Sequence, residues 1–166
     1  MKLLVCGAMG FIGSTFIRNH KDKNPNDHIT NVDSLTTGSN IKNLEKIDKT
    51  DYQFVEASIT DSEAINKLAS DVDLIVNFAA ETHVDRSISS PEKFVQTNIV
   101  GTHTLLEAAK KYEKLFIHIS TDEIYGDAED QESFTEKSLL KPSNPYSATK
   151  AAADHLVGSY AKTYGS

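Results

Sequence analysis

Apolar and polar positions along the chain follow two rhythms in turn. Short apolar runs rich in β-branched and aromatic residues stand at Lys2–Cys6, His28–Val32, Tyr52–Glu56, Val72–Phe78 and Leu115–Ser120, and predict five strands. Between them lie segments of helical composition. Ile12–His20 carries a first helix, and Asp61 caps a second running through Ala69. Pro91 suits the first turn of a helix reaching Tyr112, and Tyr146–Tyr164 is alanine-rich and helical. Such alternation predicts an α/β fold, a doubly wound parallel sheet covered by helices on both faces. Gly126–Asn144 has no periodicity and many charges; it reads either as a surface excursion over the ligand side or as a plain spacer.

Composition narrows the classes. The chain has 166 residues, 39% of them hydrophobic and 25% charged. That suits a single domain over residues 1–166 and excludes disorder as a description of the whole. A net charge of −7 argues against a nucleic-acid partner, which would call for a basic face. One cysteine cannot form an intramolecular disulfide. Leu3–Gly13 has the length of a signal-peptide core, but three glycines interrupt it and no small-residue cleavage site follows before Arg18. No apolar run approaches the ~18 residues of a membrane span, so no membrane partner is expected and the chain reads as cytoplasmic. His20, His28, His103, His118 and His155 share no ligand spacing, and no metal site is expected.

The candidate chemistry sits where strands end. Gly7, Gly10 and Gly13 follow the first strand and open the first helix. A sharp turn there lets a pyrophosphate approach the backbone and meet the N–H groups of the helix start. Asp33, at the end of the second strand, can bond both hydroxyls of an adenosine ribose and would repel a 2′-phosphate, so NAD is expected over NADP. The fourth strand ends in Ala79-Ala80-Glu81-Thr82-His83, whose alanines let a cofactor lie close, and the fifth in Ser120-Thr121-Asp122-Glu123.

Tyr146 and Lys150 stand four apart at a helix start, on one face. An ammonium there favours the phenolate and is expected to lower the tyrosine pKa, making it a base for an alcohol proton. Taken alone, that spacing also describes an exposed helix pair. Asp122 and Glu123 are neighbouring carboxyls whose pKa values can be pushed apart into one acid and one base; alone, they also describe an ordinary acidic loop.

Several blocks together resemble the extended short-chain dehydrogenases, with a Rossmann-type sheet: Gly7–Gly13, Asp33–Thr36, Phe78–Ser87 and Thr97–Thr102. Ile119–Asp127 and Pro145–Lys150 are similar to the dTDP-glucose 4,6-dehydratases; sugar-nucleotide decarboxylases and GDP-mannose dehydratases resemble the chain elsewhere but typically carry Ser where Asp122 stands, and epimerases lack the acidic pair. The resemblance implies that Tyr146, assisted by Lys150, takes the proton of a sugar 4-hydroxyl while hydride passes to NAD. It gives Thr121 a hydrogen bond to that oxygen, Glu123 the C5 proton and Asp122 the proton for the departing 6-hydroxyl. It also implies that Phe11, Ile12, Asp33, Ser34, Leu35, Thr36, Ile59, Ala79, Ala80, Glu81, Thr82 and Thr97 line the cofactor. Ser58 would face the adenine and His83 the substrate, a nucleotide sugar such as dTDP-glucose. The helices 91–112 and 146–164 would pair two copies into a homodimer.

The chain departs from the pattern at Cys6, Ala8 and Met9, where the family usually has Thr, Gly and Ala. It departs also at Ser58, where the family usually has Asp, so weaker NAD binding is expected. Members of the family run to roughly twice this length. The last strands and the substrate lobe are therefore expected to be missing, leaving Leu115–Ser120 as an apolar sheet edge open to pairing. Two readings follow: an NAD-dependent dehydratase met as a shortened chain or fragment, or a non-catalytic NAD-binding module. A related sugar-nucleotide epimerase or decarboxylase is a further alternative.

Overall fold

The computed structural model describes residues 1–128 and 133–165. Strand β1 (Lys2–Cys6) starts the chain and lies at the centre of a five-stranded sheet. Helix α1 (Phe11–Lys23) leads to β2 (His28–Asp33), which pairs β1 in parallel with Lys2 opposite His28. β3 (Tyr52–Glu56) adds outside β2. The chain then crosses back through α2 (Ser62–Ala69) to β4 (Leu74–Asn77) on the other side of β1, and β5 (Leu115–His118) follows outside β4. The order β3-β2-β1-β4-β5, all parallel, reverses direction between β1 and β4. A ligand crevice opens at the carboxyl end of such a reversal.

The period-2 pleat of β1 feeds two cores. Leu3 and Val5 pack with Ile17, Ile29 and Leu44 on the α1 face, whereas Leu4 and Cys6 pack with Ile65, Ile75 and Leu105 on the other. Burial raises the Cys6 thiol to about 12, so it is a small apolar group here.

Helix boundaries follow local chemistry. Asp61 accepts the N–H groups of Glu63 and Ala64, both at 3.1 Å, at the start of α2. α1 runs past its expected end at His20 to Lys23, its last turn carrying basic side chains that suit the carbonyl end of a helix. A short helix absent from the expectation, α3 (Val84–Ser89), follows β4. The rod expected over 91–112 is continuous but not uniform: α4 (Pro91–Phe94) passes through π turns at Val95–Gly101 into α5 (Thr102–Tyr112). These wider turns carry the buried Asn98 and Gly101, and such turns are frequent at functional sites. α6 (Pro145–Tyr164) opens with Pro145 and a reciprocal cap between Asn144 and Ser147.

Two strands are shorter than expected. β4 ends at Asn77 rather than Phe78 because the Asn77 side chain bends back onto the Ala79 N–H at 3.0 Å. β5 ends at His118 rather than Ser120, where its partner strand stops. Among the described residues β5 pairs only β4, and Leu115 and Ile117 are exposed along its course. Of the aperiodic stretch 126–144, residues 129–132 lie outside those described. Its described part packs on the 3-10 turn before it (Asp122–Tyr125), with Tyr125 stacked on Phe134 at 5.4 Å and the Lys141 N–H donating to Ile124 O at 3.0 Å. No described helix is long and apolar enough to cross a membrane.

Candidate active site

The crevice between β1 and β4 is a cleft of about 380 Å³. Its floor is backbone, and sequence explains why. Gly7 leaves β1 with φ of +78°, and a Cβ there would stand 2.5 Å from the Ala79 backbone. Gly13 lies against Ala8 Cα, 2.7 Å from where its Cβ would be. The turn can therefore close only without side chains at these two points. α1 starts directly behind it with no acidic residue in its first turn, so its free N–H groups present a site for an anion.

Asp33 ties this turn to the loop after β2. It is buried, and its carboxylate accepts the Met9 N–H at 2.9 Å, the Leu35 N–H at 2.9 Å and the Ser39 hydroxyl at 2.7 Å. A carboxylate has about four acceptor positions, so room remains for one more hydroxyl. Ser34, Thr36, Ser58 and Ile59 complete this end of the cleft. The Ser58 hydroxyl is engaged within its own turn, 2.8 Å from Thr60 Oγ1.

On the β4 side, Ala79, Ala80, Glu81 and Thr82 line the wall. Asn98 clamps this segment: its Oδ1 accepts the Glu81 N–H at 2.8 Å, while Nδ2 donates to Glu81 O at 3.1 Å and to Thr149 Oγ1 at 3.0 Å. Every polar atom of that buried amide is paired, so loop, π turns and α6 are fixed together. The largely buried Glu81 carboxylate has Arg86 Nη2 at 3.5 Å.

The far end holds Tyr146 and Lys150. Lys150 is buried at 3% exposure, donates to Ile119 O at 2.7 Å, and is drawn down to about 8 by that burial, against the opposing pull of Asp154. Tyr146 is half-buried, and its pKa is raised, first by burial and then by the Glu123 and Asp122 charges, while the nearby Thr121 hydroxyl acts the other way. This corrects the sequence expectation of a lowered phenol: four residues along a helix put Tyr146 and Lys150 in one cleft, but desolvation and the two carboxylates decide the sign.

Nearly all the expected residues meet. Gly7, Gly10, Phe11, Ile12 and Gly13 line the cleft, as do Asp33, Ser34, Thr36, Ser58, Ile59, Ala79–Thr82, His83, Thr97, Tyr146 and Lys150. Leu35 does not: with φ of +53° it turns inward against the core cluster under α1, and only its N–H serves Asp33. Thr121, Asp122 and Glu123 stand outside the cleft lining, the two acids on the 3-10 turn Asp122–Tyr125 and Thr121 as its cap, where they act on Tyr146. Asn144 Nδ2 donates to Glu123 at 3.3 Å, joining that turn to the start of α6. Thr37, Gly38 and Ser39 line the cleft without having been expected there; the loop has no periodicity to mark it. The sequence reading gave no role to Asn98, whose signal is a polar residue in an otherwise core-facing helix. Among the described residues no three His, Cys, Asp or Glu side chains are placed to hold a metal ion.

A parallel sheet with a glycine turn at its reversal, a buried acid ending β2, and a cleft that holds Lys150 with Tyr146 facing two carboxyls defines a dinucleotide-fold protein. The chain belongs to the GDP-mannose 4,6 dehydratase family, whose model matches residues 4–166. It is 43% identical to a dTDP-glucose 4,6-dehydratase of Mycobacterium tuberculosis over 99% of its own length and 50% of that relative. It is 50% identical to the low-salt glycan biosynthesis protein Agl12 of Haloferax volcanii, covering 99% of this chain and 53% of that one. The structure superposes on the dTDP-glucose 4,6-dehydratase DesIV of Streptomyces venezuelae, solved with NAD bound, with a TM-score of 0.95 at 43% identity, covering 99% of this chain and 53% of that one. The chain spans about half the length of the curated relatives it matches.

Proposed function

We propose that this chain is the NAD-binding and acid–base half of a nucleotide-sugar 4,6-dehydratase that acts on dTDP-glucose. The observation that carries the reading is the approach of Thr121, Asp122 and Glu123 to Tyr146 at the mouth of a cleft whose floor suits a dinucleotide. The fit to NAD rests on the side-chain-free turn at Gly7 and Gly13, the unopposed N-terminus of α1, and the remaining acceptor position of Asp33. When bound, NAD supplies the acceptor for the C4 hydride and returns it to C6.

The residues of the chain manage protons. Tyr146 takes the proton of the sugar 4-hydroxyl, with the Lys150 charge balancing the phenolate and Thr121 holding the same oxygen. The resulting ketone acidifies C5, whose proton passes to Glu123 and is given back to C5 when the hydride reaches C6. Asp122, in its protonated form, gives a proton to the leaving 6-hydroxyl, which departs as water. Two carboxyls side by side repel each other when both are charged, which supports one acid and one base. His83, exposed at the cleft edge, is positioned to meet the sugar. Two copies pair through 91–112 and 146–164, where Val95, Val100 and Tyr164 are exposed. Two small water-soluble ligands and no described helix able to cross a membrane support a cytoplasmic reaction.

Incubation with NAD and dTDP-glucose, followed by mass detection of the 4-keto-6-deoxy sugar, tests the reading. Product formation is expected. NAD binding without product assigns these residues to a cofactor-binding module instead.

A further inference from the structure

Beneath the cleft, at the end of β5, lies a polar cluster that the proposed chemistry does not use. The His118 side chain is 4% exposed. Asn77 Oδ1 accepts the Ala79 N–H, which orients the amide and turns Nδ2 toward His118 Nδ1 at 3.2 Å. An amide nitrogen only donates, so Nδ1 accepts and the neutral ring carries its hydrogen on Nε2. That nitrogen faces two groups: Lys150 Nζ at 3.5 Å and Asp154 Oδ1 at 3.8 Å. An N–H cannot accept from an ammonium, but it is attracted to a carboxylate. The other oxygen of Asp154 accepts the Ser120 hydroxyl at 2.8 Å.

The geometry points to His118 as a positioning residue, a neutral wedge that turns Nε2–H toward Asp154 and so keeps the Lys150 ammonium on Ile119 O at the wall of the cleft. Asp154 stands four residues after Lys150 on α6, the spacing at which an acid and a base pair along a helix. Without the wedge the carboxylate would take the ammonium for itself. The groups that face Lys150 are His118, Ile119 O and Asp154; Tyr146, under the influence of Asp122 and Glu123, lines the same cleft. Charge agrees with geometry: burial and the Lys150 charge hold the imidazole down at about 3, so it stays neutral beside the cation. The catalytic consequence rests on the dehydratase reading; the placement of the three side chains does not.

The test reads the apparent pKa of Lys150 by trace acetylation and mass spectrometry across neutral and alkaline pH, on the chain without substrate. His118→Phe keeps a ring but loses both nitrogens. It is expected to free Asp154 and raise the Lys150 pKa by about one unit, slowing labelling about tenfold below the pKa. Adding Asp154→Asn is expected to abolish that slowing. His118→Gln, which offers an acceptor to Asn77 and a donor to Asp154, is expected to label like the parent. Asp154→Asn alone is partly exposed and tests the same idea if His118→Phe fails to fold; it is expected to quicken labelling by less than about threefold. Unchanged labelling in a folded His118→Phe chain, slowing that survives Asp154→Asn, or a tenfold gain from Asp154→Asn alone overturns the wedge. A chain that forms no product yet shows the Asp154-dependent shift supports the wedge and overturns only the dehydratase reading.

Discussion

The two ends of the cleft are built differently. At the β1–β2 end, recognition is made of backbone: a glycine turn, a helix start and a buried carboxylate already bonded to Met9, Leu35 and Ser39. Little there can move without breaking the sheet. At the β5–α6 end the chemistry is carried by side chains, and Asp122 and Glu123 lie exposed on a short 3-10 turn. One end is finished by the chain's own packing, whereas the other awaits contacts with whatever enters. Binding and turnover should therefore be separable by mutation.

The sharpest separation is expected at Tyr146. Tyr146→Phe should lower dehydration by about 10²–10⁴-fold, the usual worth of a positioned acid–base group. NAD affinity, measured by calorimetry, should stay nearly unchanged; a parallel loss of both would break the distinction. Lys150 comes next. Burying its charge costs about 3 kcal/mol at pH 7, read from the fall of its pKa from 10.5 to about 8. Its folded pKa lies below the unfolded value, so that cost is complete below pH 8, fades as pH rises from there, and is gone above 10.5. Lys150→Met should accordingly melt higher than the parent at pH 7 and lose that advantage in alkali, while turnover collapses. A variant that melts lower at pH 7 would show that the ammonium is well solvated.

Gly7→Ala strikes the opposite end. A methyl group 2.5 Å from the Ala79 backbone, on a residue with φ of +78°, should cost about 2 kcal/mol or more in urea unfolding and remove NAD binding as well. Retained affinity would mean that the turn is softer than its packing indicates. The smallest effect is expected from Ser58→Asp. Because the Ser58 hydroxyl is turned onto Thr60, a carboxylate should add a bond toward the adenine worth about 1 kcal/mol, a several-fold gain in NAD affinity. No gain would remove the expectation that Ser58 weakens NAD binding.

What could be read from the sequence divides along the same line. The strands announced themselves because a doubly covered parallel sheet needs uninterrupted apolar runs, as at Lys2–Cys6 and Leu74–Asn77. Gly7, Gly13 and Asp33 were legible because backbone sites depend on residue type at fixed spacing. Interactions between distant side chains leave no such trace. Nothing in the spacing shows that Asn77 orients His118, 41 positions away, or that Asn98 bridges Glu81 to Thr149. The inward turn of Leu35 and the raised phenol of Tyr146 were missed for a related reason: each is set by what surrounds the residue in space, a core cluster in one case, burial and two carboxylates in the other.

The central place of β1 has a consequence for how the molecule comes into being. Lys2 meets Asp73, 71 positions later, and the strand between its two neighbours cannot be completed until that partner exists. At ordinary rates of synthesis the gap is roughly 4 to 14 seconds. During it the most apolar stretch of the nascent polypeptide has one flank uncovered. Of these five strands the one made first is among the last to be enclosed, so the ribosome's pace and the chaperones near its exit become part of this protein's folding environment.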